Sequence, residues 1–395
     1  MKKRKICVFT GSRADYGPLK PLIEAIAEDP SCQLQLLVSG SHLSPEFGLT
    51  YREIETDGFV IDEKVEILLS ADTAGAIVKS TALGMIGFSD ALERLSPDII
   101  VILGDRFEAL GCAYTAFVHH IPVAHISGGE LTLGAIDDNI RHAITKFSSL
   151  HFVATQPYRK RVIQLGENPK YVHWVGELGL EKLRENLLDK KSFEASTGFV
   201  FGKKNILFTY HPETMNESRT REDIRILLEL LAENRDFHIL FTHSNADTGG
   251  RIVNRMIDEF VKQYPERSVV HSSLGRQRYL SALQFMDLVM GNSSSGLIEV
   301  PCFHIPTIDI GERQRGRIKA ESVISVPMQK EAISDALNLA FSPSFRQSLP
   351  QFQNPYRKDD GIARTLSILK EIRLSELRYK GFCDYPFDPE QGACQ

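Results

Sequence analysis

Ile99-Ile100-Val101-Ile102-Leu103-Gly104-Asp105-Arg106-Phe107-Glu108 is the stretch that decides the fold. Its first five residues are apolar with no polar alternation, the pattern of a parallel strand buried on both faces. Gly104 breaks the strand, and charged residues follow where a helix should begin. Outward from this point the same grammar repeats. Ile6-Cys7-Val8-Phe9 leads into Thr10-Gly11-Ser12-Arg13-Ala14-Asp15-Tyr16-Gly17-Pro18, and Leu288-Val289-Met290 leads into Gly291-Asn292-Ser293-Ser294-Ser295-Gly296. In the first half, strands are expected at 5–10, 34–39, 99–103, 123–126, 151–154 and near Val172. Helices at 18–28, 73–95, 107–119, 137–146 and 157–165 separate them. Pro18 suits a first helical position, where a missing N–H costs nothing.

A polar stretch interrupts the alternation, which then restarts. Strands are expected at 206–210, 238–241, 269–271, 288–290 and 305–308, with helices at 221–233, 251–264, 276–284, 296–300 and 331–341. The chain of 395 residues is therefore divided into an N-terminal Rossmann-like domain over 1–180, a linker over 181–204 and a second such domain over 205–360. A last helix, 361–378, is expected to pack back on the first domain, before a loosely held tail, 379–395. The class is α/β, with two doubly wound sheets whose ligands bind at the carboxyl ends of the strands.

Composition narrows the function. With 42% hydrophobic and 25% charged residues, the chain is an ordinary globular one. A formal net charge of -5 argues against generic nucleic-acid binding. No stretch is apolar for long enough to span a bilayer, and the run Ile6–Phe9 is too short for a secretory signal. The six cysteines and the histidines are scattered without zinc or disulfide spacing, so no metal is expected and a cytoplasmic location is.

The strand-end rule selects the candidate residues. Gly11 to Gly17 forms a turn into a helix, with N–H groups for an anion and Arg13 beside it. Asp105 and Arg106 stand at the mouth of the deciding strand. The next strand ends in His125-Ile126-Ser127-Gly128-Gly129-Glu130, followed by Asp137, Asp138 and Arg141. Asp105, Glu130, Asp137 and Asp138 give four carboxylates near the strand ends of one sheet, a set suited to proton transfer. Singly, each is more often a helix cap or a surface charge. In the second half, His211 follows its strand directly, and His243-Ser244-Asn245 ends the next. The Ser/Gly-rich turn around Ser293 and Ser294 suits a diphosphate, Glu299 suits ribose hydroxyls, and Arg313, Arg315 and Arg317 are expected at the same rim.

Taken together, Arg13-Ala14-Asp15-Tyr16, Gly104-Asp105-Arg106-Phe107, Ile140 to Lys146, His211-Pro212, Gly291-Asn292-Ser293-Ser294 and Arg313 to Arg317 resemble the hydrolysing UDP-N-acetylglucosamine 2-epimerases. The resemblance runs from about Lys5 to Arg373. It implies the GT-B arrangement, two Rossmann-like domains facing a central cleft. It implies conversion of UDP-N-acetylglucosamine and water to UDP and N-acetylmannosamine, on the way to sialic acid, with no cofactor. Carried over by position, Arg13, Arg106, His211, Asn245, Ser293, Ser294, Glu299 and Arg313 would hold UDP. Asp105, Glu130, Asp137 and His211 would carry the acid/base chemistry, and His125, Asp138 and Arg141 would touch the sugar. Some relatives have a glutamate where this chain has Ser127, which shifts that load towards Glu130; Gly17 likewise replaces a serine. A homodimer or homotetramer is implied, with helix 73–95 as interface. Similar bacterial enzymes act on a UDP-linked 2,4-diacetamido-trideoxy sugar or a GDP-linked analogue. A non-hydrolysing epimerase, a GT-B glycosyltransferase and a UDP-sugar sensor without turnover share much of this pattern.

Overall fold

The continuous apolar runs Ile6–Phe9, Ile99–Leu103 and Leu288–Met290 lie in strands of parallel sheets. The computed structural model describes residues 3–69, 73–132, 136–212, 219–244 and 250–386. The chain divides into two units, one of Met1–Glu130, Ile136–Glu181 and Lys358–Gln395, the other of Leu131–Ala135 and Lys182–Arg357.

The first unit carries β1 (Arg4–Thr10), β2 (Cys32–Ser39), β3 (Glu63–Val65), β4 (Ile99–Leu103), β5 (Val123–Ile126), β6 (Leu150–Val153) and β7 (Val172–Trp174). They pair in parallel in the order β3-β2-β1-β4-β5-β6-β7. Its helices are α1 (Arg13–Glu28), α2 (Tyr51–Thr56), α3 (Ala74–Leu95), α4 (Phe107–Val118), α5 (Ile136–Phe147) and α6 (Gln156–Gln164). Successive residues of β1 and β4 serve opposite faces of the sheet. Ile6, Val8, Ile99 and Val101 pack with Leu19, Leu22 and Ile26 of α1, whereas Cys7, Phe9, Ile100 and Ile102 pack with Phe88 of α3 and Cys112 of α4.

The second unit opens with α7 (Lys190–Thr197) and has strands β8 (Lys204–Thr209), β9 (Phe237–Thr242), β10 (Ser268–His271), β11 (Leu288–Gly291), β12 (Thr307–Ile310) and β13 (Val323–Val326). Their order is β10-β9-β8-β11-β12-β13, again parallel. The helices that follow α7 are α8 (Thr220–Glu233), α9 (Gly250–Gln263), α10 (Gly275–Ala282), α11 (Ser295–Ile298), α12 (Lys330–Ala340) and α13 (Pro343–Ser348). The chain ends on the first unit with α14 (Gly361–Glu371) and α15 (Leu374–Leu377). In each sheet the strand order reverses between a first and a fourth strand, β1 and β4 or β8 and β11. Such a switch point leaves a crevice at the carboxyl ends, where ligands of open α/β sheets bind.

Several expectations need correction. Helix α1 begins at Arg13, so Pro18 and Pro21 lie inside it. Residues Lys182–Arg357, the expected linker included, belong to the second unit. There Phe193 and Phe199 are buried and pack with Phe201, and Leu188 N–H donates to Ser281 Oγ at 2.9 Å. The charged residues between 181 and 204 hid this aromatic anchor. The helix expected over 361–378 is broken at Ile372 and Arg373. In the expected loose tail, the described part is fastened: Cys383 N–H donates to Gly166 O at 2.9 Å, and Lys380 bonds three carbonyls.

Candidate active site

In the first unit the crevice between β1 and β4 is lined by charge. Gly11, just past β1, donates its N–H to Asp15 Oδ2 at 3.1 Å, so a carboxylate of the chain itself occupies a group expected to face an anion. Arg106 occupies the residue before α4 without a side-chain capping bond, and its Nε donates to Glu108 Oε1 at 2.5 Å. Glu108 is buried under the strand ends: a Cβ on Gly11 would lie 2.5 Å from its Cγ. Only glycine leaves that space. Burial pushes the Asp15 carboxyl up to about 7, with Glu108 adding to the rise and Arg106 opposing it. Burial works against the charge of Arg106, but Glu108, Asp15 and Asp137 together hold its pKa above the ordinary guanidinium value.

Past Gly104, which takes a positive φ of 85°, Asp105 forms a short ion pair with Arg141 of α5. Arg141 is 3% exposed at its side chain and stands 3.6 Å from Asp138. Asp137 and Asp138 fill the first turn of α5, where carboxylates suit the helix dipole. Glu130 is buried after Gly128 and Gly129, and Ser127 Oγ donates to Glu177 Oε2 at 3.4 Å. His125 is fully buried. A carbonyl can only accept, so its Nε2 carries the proton donated to Gly104 O at 2.8 Å, and Nδ1 accepts from Thr145 Oγ1 at 3.1 Å. It holds the Gly104 turn, with both ring nitrogens engaged within the protein.

In the second unit the β8–β11 crevice centres on His211. Asn292 Oδ1 accepts from the His211 N–H and Asn292 Nδ2 donates to the His211 carbonyl, both at 2.7 Å. Arg313 and Gln314 in turn donate to Asn292 O at 3.2 and 2.9 Å. His211 Nδ1 stands 3.3 Å from Ser244 Oγ. Burial, and then the charge of Arg313, lower the His211 pKa to about 3, so the ring is neutral. Burial raises the Glu299 carboxyl; the Ser295 hydroxyl and the charges of Arg276 and Arg317 oppose this. Ser293 and Ser294 form the turn between β11 and α11, whose four residues are too few for a substantial dipole.

Residues 24–370 match the family described as UDP-N-acetylglucosamine 2-epimerase. The chain belongs to this family. Among its relatives, this epimerase-family protein is 40% identical to GDP/UDP-N,N'-diacetylbacillosamine 2-epimerase (hydrolyzing) of Campylobacter jejuni, over 97% of its own chain and 100% of the relative's. It is 38% identical to polysialic acid biosynthesis protein P7 of Escherichia coli, over 97% and 98%. Its fold is similar to the crystal structure of UDP-GlcNAc 2-epimerase from Neisseria meningitidis bound to UDP-GlcNAc, with a TM-score of 0.80 at 15% identity, covering 92% of this chain and 99% of that one. At that identity the likeness concerns the fold alone.

Within this epimerase-family protein, Asp105, Asp138 and Arg141 come together, with Arg106, Glu108 and Asp15 as a second cluster; His211, Asn292 and Arg313 form a third. Arg13 stands apart, half exposed and 3.7 Å from Glu53. The three expected rim arginines also separate: Arg315 pairs with Glu312 at the surface at 3.4 Å, and Arg317 acts on Glu299. Asn245 lies outside the described residues. Asp15, Glu108 and Asn292 are the residues that sequence reasoning passed over. The available signal was their place in the first turn, or first residue, after a central strand. No group of three or more metal-ligating side chains is found among the described residues.

The buried titratable groups set a pH dependence of stability. His42, His125 and His211 have folded pKa values of about 4, 3 and 3 against an ordinary 6.5, each lowered chiefly by burial. The unfolded chain therefore binds protons that the folded chain refuses. That contribution to stability is complete above about pH 6.5 and is lost as pH falls. Asp15 runs the other way: between about 4 and 7 the folded chain keeps a proton that the unfolded one releases. From pH 7.5 to 5.5 these three histidines lose about 4 kcal/mol together, His173, likewise lowered to about 4 by burial, adds about 1, and Asp15 returns about 2, a net loss of about 3 kcal/mol. Urea midpoints across that range should fall accordingly, and more steeply in Asp15→Asn. A flat profile would contradict these protonation states.

Proposed function

We propose that this protein is a hydrolysing 2-epimerase that converts UDP-N-acetylglucosamine and water to UDP and N-acetylmannosamine, a first step towards sialic acid. The observation that carries the reading is the cluster of Asp105 and Asp138 about Arg141 at the carboxyl ends of the first sheet, in a chain of this family. The C2 proton of the sugar is not acidic, so a base must act as UDP leaves from C1, giving a glycal. Water then adds across the double bond with C2 inverted. Asp105, Glu130 and Asp137 are the proton-transfer groups in this scheme. Departure of the diphosphate needs electrostatic help. Within the second unit Arg313 would supply positive charge, while neutral His211 supplies a hydrogen bond and no charge.

A second reading places a UDP-linked 2,4-diacetamido-trideoxy sugar in the same site. The 40% identical Campylobacter relative and a 32% identical Legionella relative, both named for diacetylbacillosamine, favour it. Incubation with each sugar nucleotide in D₂O, followed by proton NMR, tests both. The expected product is the free 2-epimer deuterated at C2, together with UDP. A UDP-linked epimer would mean the non-hydrolysing reaction. No change with either substrate, with UDP bound, would leave a transferase or a sensor.

We also propose a homo-oligomer, a dimer first. Ile77, Val78, Leu83 and Ile86 of α3 and Phe117 and Val118 of α4 are exposed apolar residues on neighbouring helices. Light scattering should return twice the 44.4 kDa chain mass, and a monomer at micromolar concentration would refute this. The described cysteines are all unpaired, which fits a reducing cytoplasm, testable by cell fractionation. No helix among the described residues is long and apolar enough to cross a membrane.

A further inference from the structure

The carboxyl end of α5 is held by a residue from far along the chain. Lys380 Nζ reaches Thr145 O at 3.1 Å, Lys146 O at 2.8 Å and Ser148 O at 2.7 Å, and it pairs with buried Glu167 at 2.8 Å. Terminal helix carbonyls lack intrahelical partners and carry the negative pole of the dipole, so an ammonium there satisfies both needs. Phe382 keeps the segment down: it lies against Gly166, where a Cβ would meet its ring at 2.2 Å.

Thr145 is also the start of a path to the candidate site. Its hydroxyl donates to His125 Nδ1, and His125 Nε2 donates to Gly104 O, the residue before Asp105. At its other end α5 presents Asp137, Asp138 and Arg141, the partner of Asp105. One ammonium thus fastens the helix that carries three of these groups and, through two side chains, the turn that carries the fourth.

We infer that Lys380 is a positioning residue for the carboxylate cluster, acting through α5, Thr145 and His125 without touching substrate. The inference rests on the epimerase reading above. Misplacing reacting groups by about 1 Å lowers rates by up to about a hundredfold, so a loosened α5 should be felt in turnover before binding.

The test compares the full-length protein with Lys380→Met, Lys380→Arg and Thr145→Val, measuring kcat, KM, UDP affinity by calorimetry and thermal melting. Lys380→Met should lower kcat about tenfold or more with KM and UDP affinity within about twofold. Lys380→Arg, which keeps charge and donors, should restore most of it, and Thr145→Val should reproduce the loss. A Lys380→Met kcat within twofold of the parent, or a loss wholly explained by less folded protein, overturns the inference. If the parent turns over no nucleotide sugar, the epimerase reading fails separately. Hydrogen exchange then decides. Faster exchange at 104–106 and in the first turn of α5 in Lys380→Met sustains the positioning role, and unchanged exchange ends it.

Discussion

Asp105→Asn is expected to lower kcat by about 10²–10⁴-fold while UDP affinity changes less than threefold. The substitution keeps the shape of the side chain and removes its charge and proton affinity. Asp105 stands just past the end of β4, beyond a buried strand, and its carboxylate meets the guanidinium of Arg141. Of the groups proposed to hold UDP, His211 and Arg313 lie in the other unit and keep their partners, and Arg106 keeps Glu108. Arg141 retains Asp138 at 3.6 Å, which limits the loss of stability. Calorimetry with UDP, run beside the kinetics, separates a chemical defect from a folding one. Full activity in Asp105→Asn together with loss in Asp137→Asn would move the proton transfer to α5. Full activity in both would remove these carboxylates from the reaction.

The largest effect on stability is expected at Gly291. Its φ of 137° is one that side-chain-bearing residues rarely adopt, and a Cβ there would lie 1.8 Å from the carbonyl oxygen of Thr209. The clash is with backbone of the paired strand β8, so no rotamer change relieves it. Gly291→Ala should destabilise the second unit by more than about 4 kcal/mol, beyond the range of ordinary substitutions. Because Asn292 follows directly and bonds both main-chain groups of His211, UDP binding should be lost with it. Urea denaturation followed by circular dichroism measures the first effect; a change below about 1 kcal/mol would mean that β8 and β11 can part at little cost.

The central strands were legible because burial on both faces leaves no room for polar alternation, as 99–103 and 288–290 illustrate. The edge strands Glu63–Val65 and Val323–Val326 were not, since an edge has one neighbour and tolerates short, mixed sequence. Around the candidate site, the strand-end positions of Asp105, Arg106 and His211 could be read from sequence alone. His125 could not: the same rule put it at a strand end, but the register of β5 turns it inward onto Gly104. Glu108 was hidden because its burial depends on glycines elsewhere, Gly11 and Gly40, leaving it space. Lys380 was unreadable, because a polar tail does not announce which carbonyls its ammonium will find.

The discontinuity of the first unit bears on how the molecule is made. Ile362 and Leu369 of α14 complete the apolar layer over Leu19, Leu22 and Ile26, Arg4 donates to Ile372 O, and Lys370 pairs with Asp29 at 2.6 Å. During synthesis every residue of the second unit leaves the ribosome before these pieces do. The second unit can close while the nascent first unit still has bare hydrophobic surface on α1. The part that begins the chain is thus the last to be finished.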